Sequence, residues 1–419
     1  MHNVNIEILL KKAEKECNEA EIFYASSDSY LFKTVLDRIE SFDSSSSSGY
    51  GIRVVKGGRV GFSYFTDEKG FGAALKNALH ASKFSNIKFS FPKKSKYAEL
   101  KGLYSKKLAS KKGEIAEEVI GMAEIKGRSH SNQNFVSYDE ETSRIINSSG
   151  VDFESRENSL GATSSAQFKE CVSSYSFNSR EPFKLARVSQ KAGDYAEKFQ
   201  GGKKASGEYD IVLHPAVVFG MIEEIFEDAI DGEEAFRKQS PFTGKLGKKV
   251  ANESFSLYDN PLREGGVMSF ACDDEGIPAK RKPIIERGVL KNFIYDLKAA
   301  SLARVKSSGN ATRSFSSMPS LGLTNVEAKA DAYVPFGDLD GVFVYDVIGM
   351  HNANALTGDF SLEISNAAFL KNGELTRPLS KCSITGNFFD VLKSVRLSDD
   401  FQSHGTYYGP SWVYRGKIV

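Results

Sequence analysis

The sequence predicts an α+β protein: helices on a curved antiparallel sheet in the N-terminal part, then a mostly antiparallel β part built around one central helix. Three observations predict it. First, hydrophobic residues make up 40% and charged residues 26% of 419, so the chain can bury a sizeable interior and is too long for one ordinary core. Second, alternating apolar and polar residues punctuated by glycine-bearing turns recur over residues 21–168 and again over 283–419, the pattern of antiparallel strands. Third, the period changes between these blocks. Residues 208–213 form a short extended run, Pro215 suits a first helical position, apolar residues then recur at helical spacing, and Gly232 can end the helix.

Taken in order, residues 6–20 read as a surface helix with many Lys/Glu neighbours. Residues 21–27 and 30–42 alternate enough to be strands, and 50–66 form a hairpin signal around Gly57-Gly58. The serine run Ser44 to Ser48 between them reads as a flexible loop; a Gly/Ser-rich edge beside a sheet is also suited to an extended peptide. Asp67 caps a helix over 67–82, with Phe71, Ala74, Leu75, Ala78 and Leu79 on one side. The basic run 93–112 is a solvated face, and 114–125 another helix. Residues 134–146, the turn Asn147-Ser-Ser-Gly150, and 151–158 and 160–168 read as a meander of strands. A helix over 188–199 runs into Gln200-Gly-Gly-Lys-Lys-Ala-Ser-Gly207, where a boundary divides the chain into domains 1–200 and 201–419.

In the second domain the central helix is strongly two-sided. On a 3.6-residue repeat, Met221, Ile222, Ile225, Phe226, Ala229 and Ile230 share one face, and Glu223, Glu224, Glu227 and Asp228 share the other. Hairpins follow over 283–296, around Arg287-Gly288, and over 362–383, around Asn372-Gly373. Residues 341–348 read as a buried strand, 387–397 as a short helix, and 408–419 as a closing strand.

Several function classes are excluded or disfavoured. A formal net charge of +1 gives no electrostatic reason to expect nucleic acid or a membrane as partner. No apolar run approaches a membrane span, and the first residues lack a basic-then-apolar leader, so the expected location is cytoplasmic. Cys17, Cys171, Cys272 and Cys382 are far apart without CxxC spacing, which indicates neither a disulfide framework nor a zinc ribbon. There is no phosphate loop and no nucleophile elbow.

The order of several short segments carries a family resemblance. They are Ile230-Asp-Gly-Glu233, Ser240-Pro-Phe-Thr-Gly244, Asp273-Asp-Glu-Gly-Ile-Pro278, Glu286-Arg-Gly-Val-Leu-Lys291, Gly309-Asn310, Thr324-Asn325, Gly349-Met-His-Asn-Ala-Asn-Ala-Leu-Thr-Gly-Asp-Phe-Ser361, Asn372-Gly-Glu374 and Ile384-Thr-Gly-Asn387. Together they make the chain similar to the TldD/PmbA family, also called modulators of DNA gyrase. The resemblance implies metal-dependent proteolysis of unfolded or extended peptides. It also implies a His-Glu-x-x-x-His motif on the central helix of a catalytic subunit, with a cysteine near the C-terminus completing a zinc site. At the aligned positions this chain has Glu223, Glu224 and Asp228, and its C-terminal cysteine position falls near Gln402-Ser-His-Gly405, with His404 as the nearest match. That departure implies a TldE/PmbA-like, non-catalytic subunit that carries no cofactor of its own. Its expected partner is a zinc-bearing TldD-like subunit in a heterodimer, or a second copy in a homodimer.

Three readings of the acidic positions remain side by side. Glu223, Glu224 and Asp228 with His404 could hold a harder divalent cation such as magnesium or manganese. They could form the solvated face of an amphipathic helix, or an acidic groove wall that attracts basic peptide segments. The first supports an alternative, an independent metallopeptidase; a further alternative is a regulatory protein acting indirectly on gyrase. The resemblance places the loop with His351, Thr357, Gly358, Asp359 and Phe360 beside the peptide groove, as expected peptide contacts. His214, before Pro215, reads as a capping residue, and Trp412 with Tyr407, Tyr408 and Tyr414 as core.

Overall fold

In the computed structural model, residues 5–419 are described. The chain is α+β, as its patterning predicts, and its first sheet has six strands, each antiparallel to its neighbours. These are β1 (Glu19–Val35), β2 (Arg38–Lys56), β3 (Arg59–Phe65), β4 (His130–Asn147), β5 (Asp152–Phe168) and β6 (Cys171–Ser179), in spatial order β3-β2-β1-β4-β5-β6. Even-numbered Ala20, Ile22, Ile52, Val54 and Ile146 pack against helices α1 (Ile6–Glu14) and α2 (Phe71–Phe84). Farther along the same face, Phe32, Val136, Tyr138 and Leu160 pack against α3 (Lys106–Ser110), α4 (Ile115–Gly121) and the start of α5 (Ala186–Phe199). The period of two sends odd-numbered Phe23, Ala25 and Ile145 to the opposite face, where Phe315 of the second half meets them.

In this sheet the turn at Leu36-Asp37 splits the strand expected over 30–42 between β1 and β2, and two further expectations need correction. The serine run is not a loop: Ser44 to Ser48 lie within β2, each opposite a residue of β1 from Tyr30 to Ser26. Serine's weak local preference yields to pairing with a neighbour already held in a sheet. Residues 151–158 and 160–168 are likewise one strand, β5. Asn158 sits in its middle because its side chain is clamped by Ser105, accepting from the Ser105 N–H at 2.8 Å and donating to its carbonyl at 3.1 Å. Strand β6, entered through Lys169 at φ 53°, had no counterpart in the sequence reading.

In the second half, β7 (Gly207–Leu213) lies parallel to Gly341–Ile348 on one side and antiparallel to Trp412–Ile418 on the other. From Gly341–Ile348 the hydrogen bonding continues through Asp359–Lys371 and Ser383–Asn387 back to Trp412–Ile418. The sheet therefore closes on itself. The predicted single strand over 408–419 is broken at Pro410: Tyr407–Gly409 joins a second sheet, and Trp412–Ile418 closes the ring. Pro410 cannot donate to a ladder, which ends one strand and frees the chain to change sheets. The expected hairpin turns stand where predicted, Arg287-Gly288 at φ 48° and 74° and Asn372-Gly373 at φ 48° and 72°.

A buried ion network ties the halves together. Arg53 of β2 donates through Nε and Nη2 to Glu21 of β1 at 2.8 and 2.9 Å, and through Nη1 to Glu275. Arg313 reaches the same Glu21 at 2.7 Å, and the second Glu275 oxygen accepts from the Leu297 N–H at 2.6 Å. All four side chains are at most 1% exposed. Burial works against the Glu21 carboxylate, but Arg313 and Arg53 hold it below its ordinary value.

Candidate functional site

The central helix follows β7 directly. His214 caps it as expected: its Nδ1 accepts from the Ala216 N–H at 3.1 Å, which leaves Nε2 to donate to Gln402 Oε1 at 3.2 Å. Regular α-helix over Pro215–Met221 gives way to a π-turn over Ile222–Phe226, and α geometry resumes over Glu227–Ala229. All six predicted apolar residues are buried, in a core shared with Phe255, Phe388 and Trp412. Tyr407 and Tyr414 join it as expected, whereas Tyr408 is only half-buried and lies outside this core, its ring 3.9 Å from the Arg263 guanidinium.

The acids divide. Glu223, Glu224 and Asp228 lie at the solvent surface, where partial burial of its carboxyl and the Glu224 charge raise the Glu223 pKa. Glu227 does not stay with them. The wider π-turn rotates it out of the acidic stripe, and its Oε1 accepts from the Leu323 N–H at 2.7 Å. Burial pushes its carboxyl up to about 7, with Glu223, Asp228 and Asp259 adding to the rise against the Leu323 hydrogen bond. A uniform 3.6-residue wheel has no means of revealing this.

His404 is brought to the start of the helix by a hairpin in which Gln402–His404 pairs with Tyr407–Gly409. Its ring lies 6.4 Å from that of His214 and 5.7 Å from that of Phe219. Gly405 turns this hairpin at φ 55°, and a Cβ there would stand 2.6 Å from the Phe219 ring. Burial holds His404 down to about 4; burial and the neighbouring His404 hold His214 down to about 3. The pair is therefore neutral at physiological pH. Among the described residues, no group of three or more His, Cys, Asp or Glu side chains is arranged to hold a metal ion. His404 is thus not assembled with Glu223, Glu224 and Asp228 into a ligand set.

The loop expected to contact peptide packs on the same helix, with Met350 3.5 Å from where a Cβ on Gly220 would stand. His351, Thr357 and Asp359 are exposed. Asn387 fixes the turn by donating to the Thr357 carbonyl at 2.7 Å and to Asp359 at 2.8 Å, and with the Thr357 hydroxyl it lowers the Asp359 pKa. Gly358 is buried at φ 83°, and a Cβ there would stand 2.5 Å from the Phe389 ring. Phe360 is only 5% exposed and belongs to the main core, so its side chain is not on the surface that a peptide would meet.

Much of the remaining family-like text is architectural. Asp231 caps the helix Gly232–Phe236, accepting from the Glu233 and Glu234 N–H groups. Gly232 is wedged where a Cβ would stand 2.1 Å from the Tyr295 ring. Asp273 accepts from the N–H groups of Glu275, Ile277 and Ala311. Buried Asp259 gathers Thr324, Lys282 and Asn310.

Comparison with known proteins agrees with this architecture. Residues 206–417 match the family model described as the PmbA/TldA metallopeptidase C-terminal domain, and residues 20–82 match domain 1 of the same series. An uncharacterised protein of Methanocaldococcus jannaschii is 32% identical over 99% of this chain and 100% of its own length. A metalloprotease of Methanothermobacter thermautotrophicus is 25% identical over 87% of this chain and 84% of its own. A metalloprotease PmbA homologue of Haemophilus influenzae is 28% identical over 48% and 43% of the two chains. The solved TldE of Thermococcus kodakarensis shares the fold, with a TM-score of 0.89 at 21% identity over 99% of this chain and 100% of that one. The chain belongs to the PmbA/TldD metallopeptidase family.

Proposed function

We propose that this chain is a non-catalytic, TldE/PmbA-like subunit of a metal-dependent peptidase acting on unfolded or extended peptides. One observation carries the reading. Glu223, Glu224 and Asp228 stand on the solvent side of the central helix in place of a His-Glu-x-x-x-His motif, while His404 is turned toward His214 and Phe219. A zinc-peptidase centre needs imidazole or thiolate donors converging on one point with a free position for water; dispersed carboxylates do not suit it. The expected partner is a TldD-like subunit bearing the zinc, in a heterodimer. The metalloprotease names among the relatives support the peptidase role. The exposed loop with His351, Thr357 and Asp359 is the surface we assign to peptide or partner, and the division near residue 200 is the proposed domain boundary. No helix among the described residues is long and apolar enough to cross a membrane.

The test is cleavage of an unstructured peptide by this chain alone and after mixing with a partner that has an intact His-Glu-x-x-x-His, each with and without chelator. Cleavage only by the mixture, abolished by chelator, is the expected result. Chelator-sensitive cleavage by the chain alone would overturn the reading in favour of an independent metallopeptidase.

A further inference from the structure

Strand β2 outruns its outer neighbour: β3 pairs with it only from Tyr50 to Lys56, and no strand pairs with its outer edge from Arg38 to Gly49. β3 leaves this lane after Phe65, where Asp67 accepts from the Gly70 N–H at 2.9 Å and turns the chain toward α2. Register decides which backbone groups face the empty lane. Val60 stands opposite Val55, yet its N–H points the other way, to the Ile87 carbonyl at 2.9 Å. The Val55 carbonyl faces the β1 side, where it accepts from the Asn18 N–H at 2.9 Å. Odd-numbered residues of β2 therefore bond toward β1, and even-numbered ones toward β3. The ladder with β1 keeps one register from Val55 to Ser41, so the N–H and C=O groups of Ser44, Ser46 and Ser48 point into the lane. No other described segment bonds to them through its backbone.

Open edges are usually blunted by proline, lysine or a bulge. From Phe42 to Gly49 there is no proline and no basic residue, and the irregularity in the β1–β2 ladder lies beyond, between Ser41 and Ile39. Residues 42–48 are all exposed. Backbone donors and acceptors at every second residue, about 7 Å apart, are matched by another extended chain. Serine side chains let such a chain approach closely and offer it no pocket, so binding through them tolerates many sequences. A second copy of this protein is the poorer occupant. Two serine edges bury little apolar area. They would also bring Asp43, and Asp28 opposite Ser46 on β1, from both copies to one seam. A peptide carrying basic residues instead complements those acids.

We propose that the open edge of β2 at Ser44, Ser46 and Ser48 holds one extended peptide by strand addition, in line with β3. The proposal rests on the reading above that the chain handles peptides, and it adds a place of attachment on the first sheet besides the 351–359 loop. Affinity comes from main-chain hydrogen bonds at the three serines. Asp28 and Asp43 beside the lane favour peptides with lysine or arginine. Exposed Phe42, its ring 4.6 Å from that of Phe32, closes the far end with an apolar surface.

The experiment measures binding of the full chain to a capped, fluorescent octapeptide of alternating threonine and lysine, by anisotropy at neutral pH. A twin peptide carries N-methyl groups on two adjacent central residues, which blocks both of its edges and keeps its charge. The unmethylated peptide is expected to bind on the order of tenfold tighter. Ser46→Pro removes an N–H that faces the lane and none that bonds β1. It should weaken binding of the unmethylated peptide by a similar factor, whereas Ser46→Ala should leave it unchanged. Equal binding of the twins, no binding of either, or an unchanged affinity in Ser46→Pro would overturn the proposal. Should Ser46→Pro fail to fold, the twins decide. Sedimentation of the chain alone tests the other occupant: self-association that Ser46→Pro abolishes would make the edge a subunit seam and sink the peptide proposal. Cleavage by the mixture with a catalytic partner is scored separately. Partner-dependent cleavage without methyl-sensitive binding sinks the edge alone; methyl-sensitive binding without partner-dependent cleavage sinks the peptidase-subunit reading alone.

Discussion

At the scale of single residues, the group that most shapes the chemistry is Glu227, a carboxylate whose protonation is displaced by its surroundings. Its folded pKa of about 7 lies above the ordinary value of 4.5, so its favourable contribution is complete below about pH 4.5 and is lost as pH rises through 7. Glu227→Gln keeps an acceptor for the Leu323 N–H and removes the charge. The variant should be more stable than the parent at pH 8 by about 1 kcal/mol, after discount for partial exposure, and the gain should vanish at pH 4.5. Urea unfolding at the two pH values measures it. Gly358 makes a simpler prediction. Alanine there combines φ 83° with a Cβ 2.5 Å from the Phe389 ring, and should cost about 1–3 kcal/mol, read from the same unfolding curves. The sequence foretold His214 as a cap from its place before Pro215, but not the burial of Glu227.

At the scale of elements, periodicity was legible wherever the chain's own pattern agreed with its final partners. The apolar stripe of the central helix, the strand Gly341–Ile348 and both Xaa-Gly hairpin turns are such cases. It failed where tertiary pairing overrode local preference, as for Ser44 to Ser48, or where the helix left its ideal repeat at Ile222–Phe226. The strand position of the serines has a consequence. Strand β3 pairs with β2 only from Tyr50 to Lys56, so the outer edge of β2 from Arg38 to Gly49 has no neighbour in the sheet. Replacing Ser44, Ser46 and Ser48 together by valine would turn that edge into an apolar template. The variant should self-associate in a concentration-dependent way by sedimentation, with monomer stability changed little.

At the scale of the whole molecule, the halves are joined by a network in which each buried charge answers another. Arg53→Met would leave Glu21 and Glu275 short of a partner in a place that water does not reach. Removing one member of such a group typically costs about 3–5 kcal/mol. Because the loss falls between the halves, denaturant unfolding should separate into two transitions where the parent shows one; a single unshifted transition would refute that coupling. The closed ring of strands bears on how the protein is made. In the first sheet, β1 to β3 pair with chain neighbours, and β4 to β6 do likewise. The ring, by contrast, waits for Trp412–Ile418 to reach β7, since Trp412 pairs with Leu213. Closing so long a loop is slow. On the ribosome β7 is exposed long before its closing strand emerges, so the second half spends much of its synthesis with open edges. A protein proposed to handle unfolded peptides would itself present unpaired strand edges through that interval.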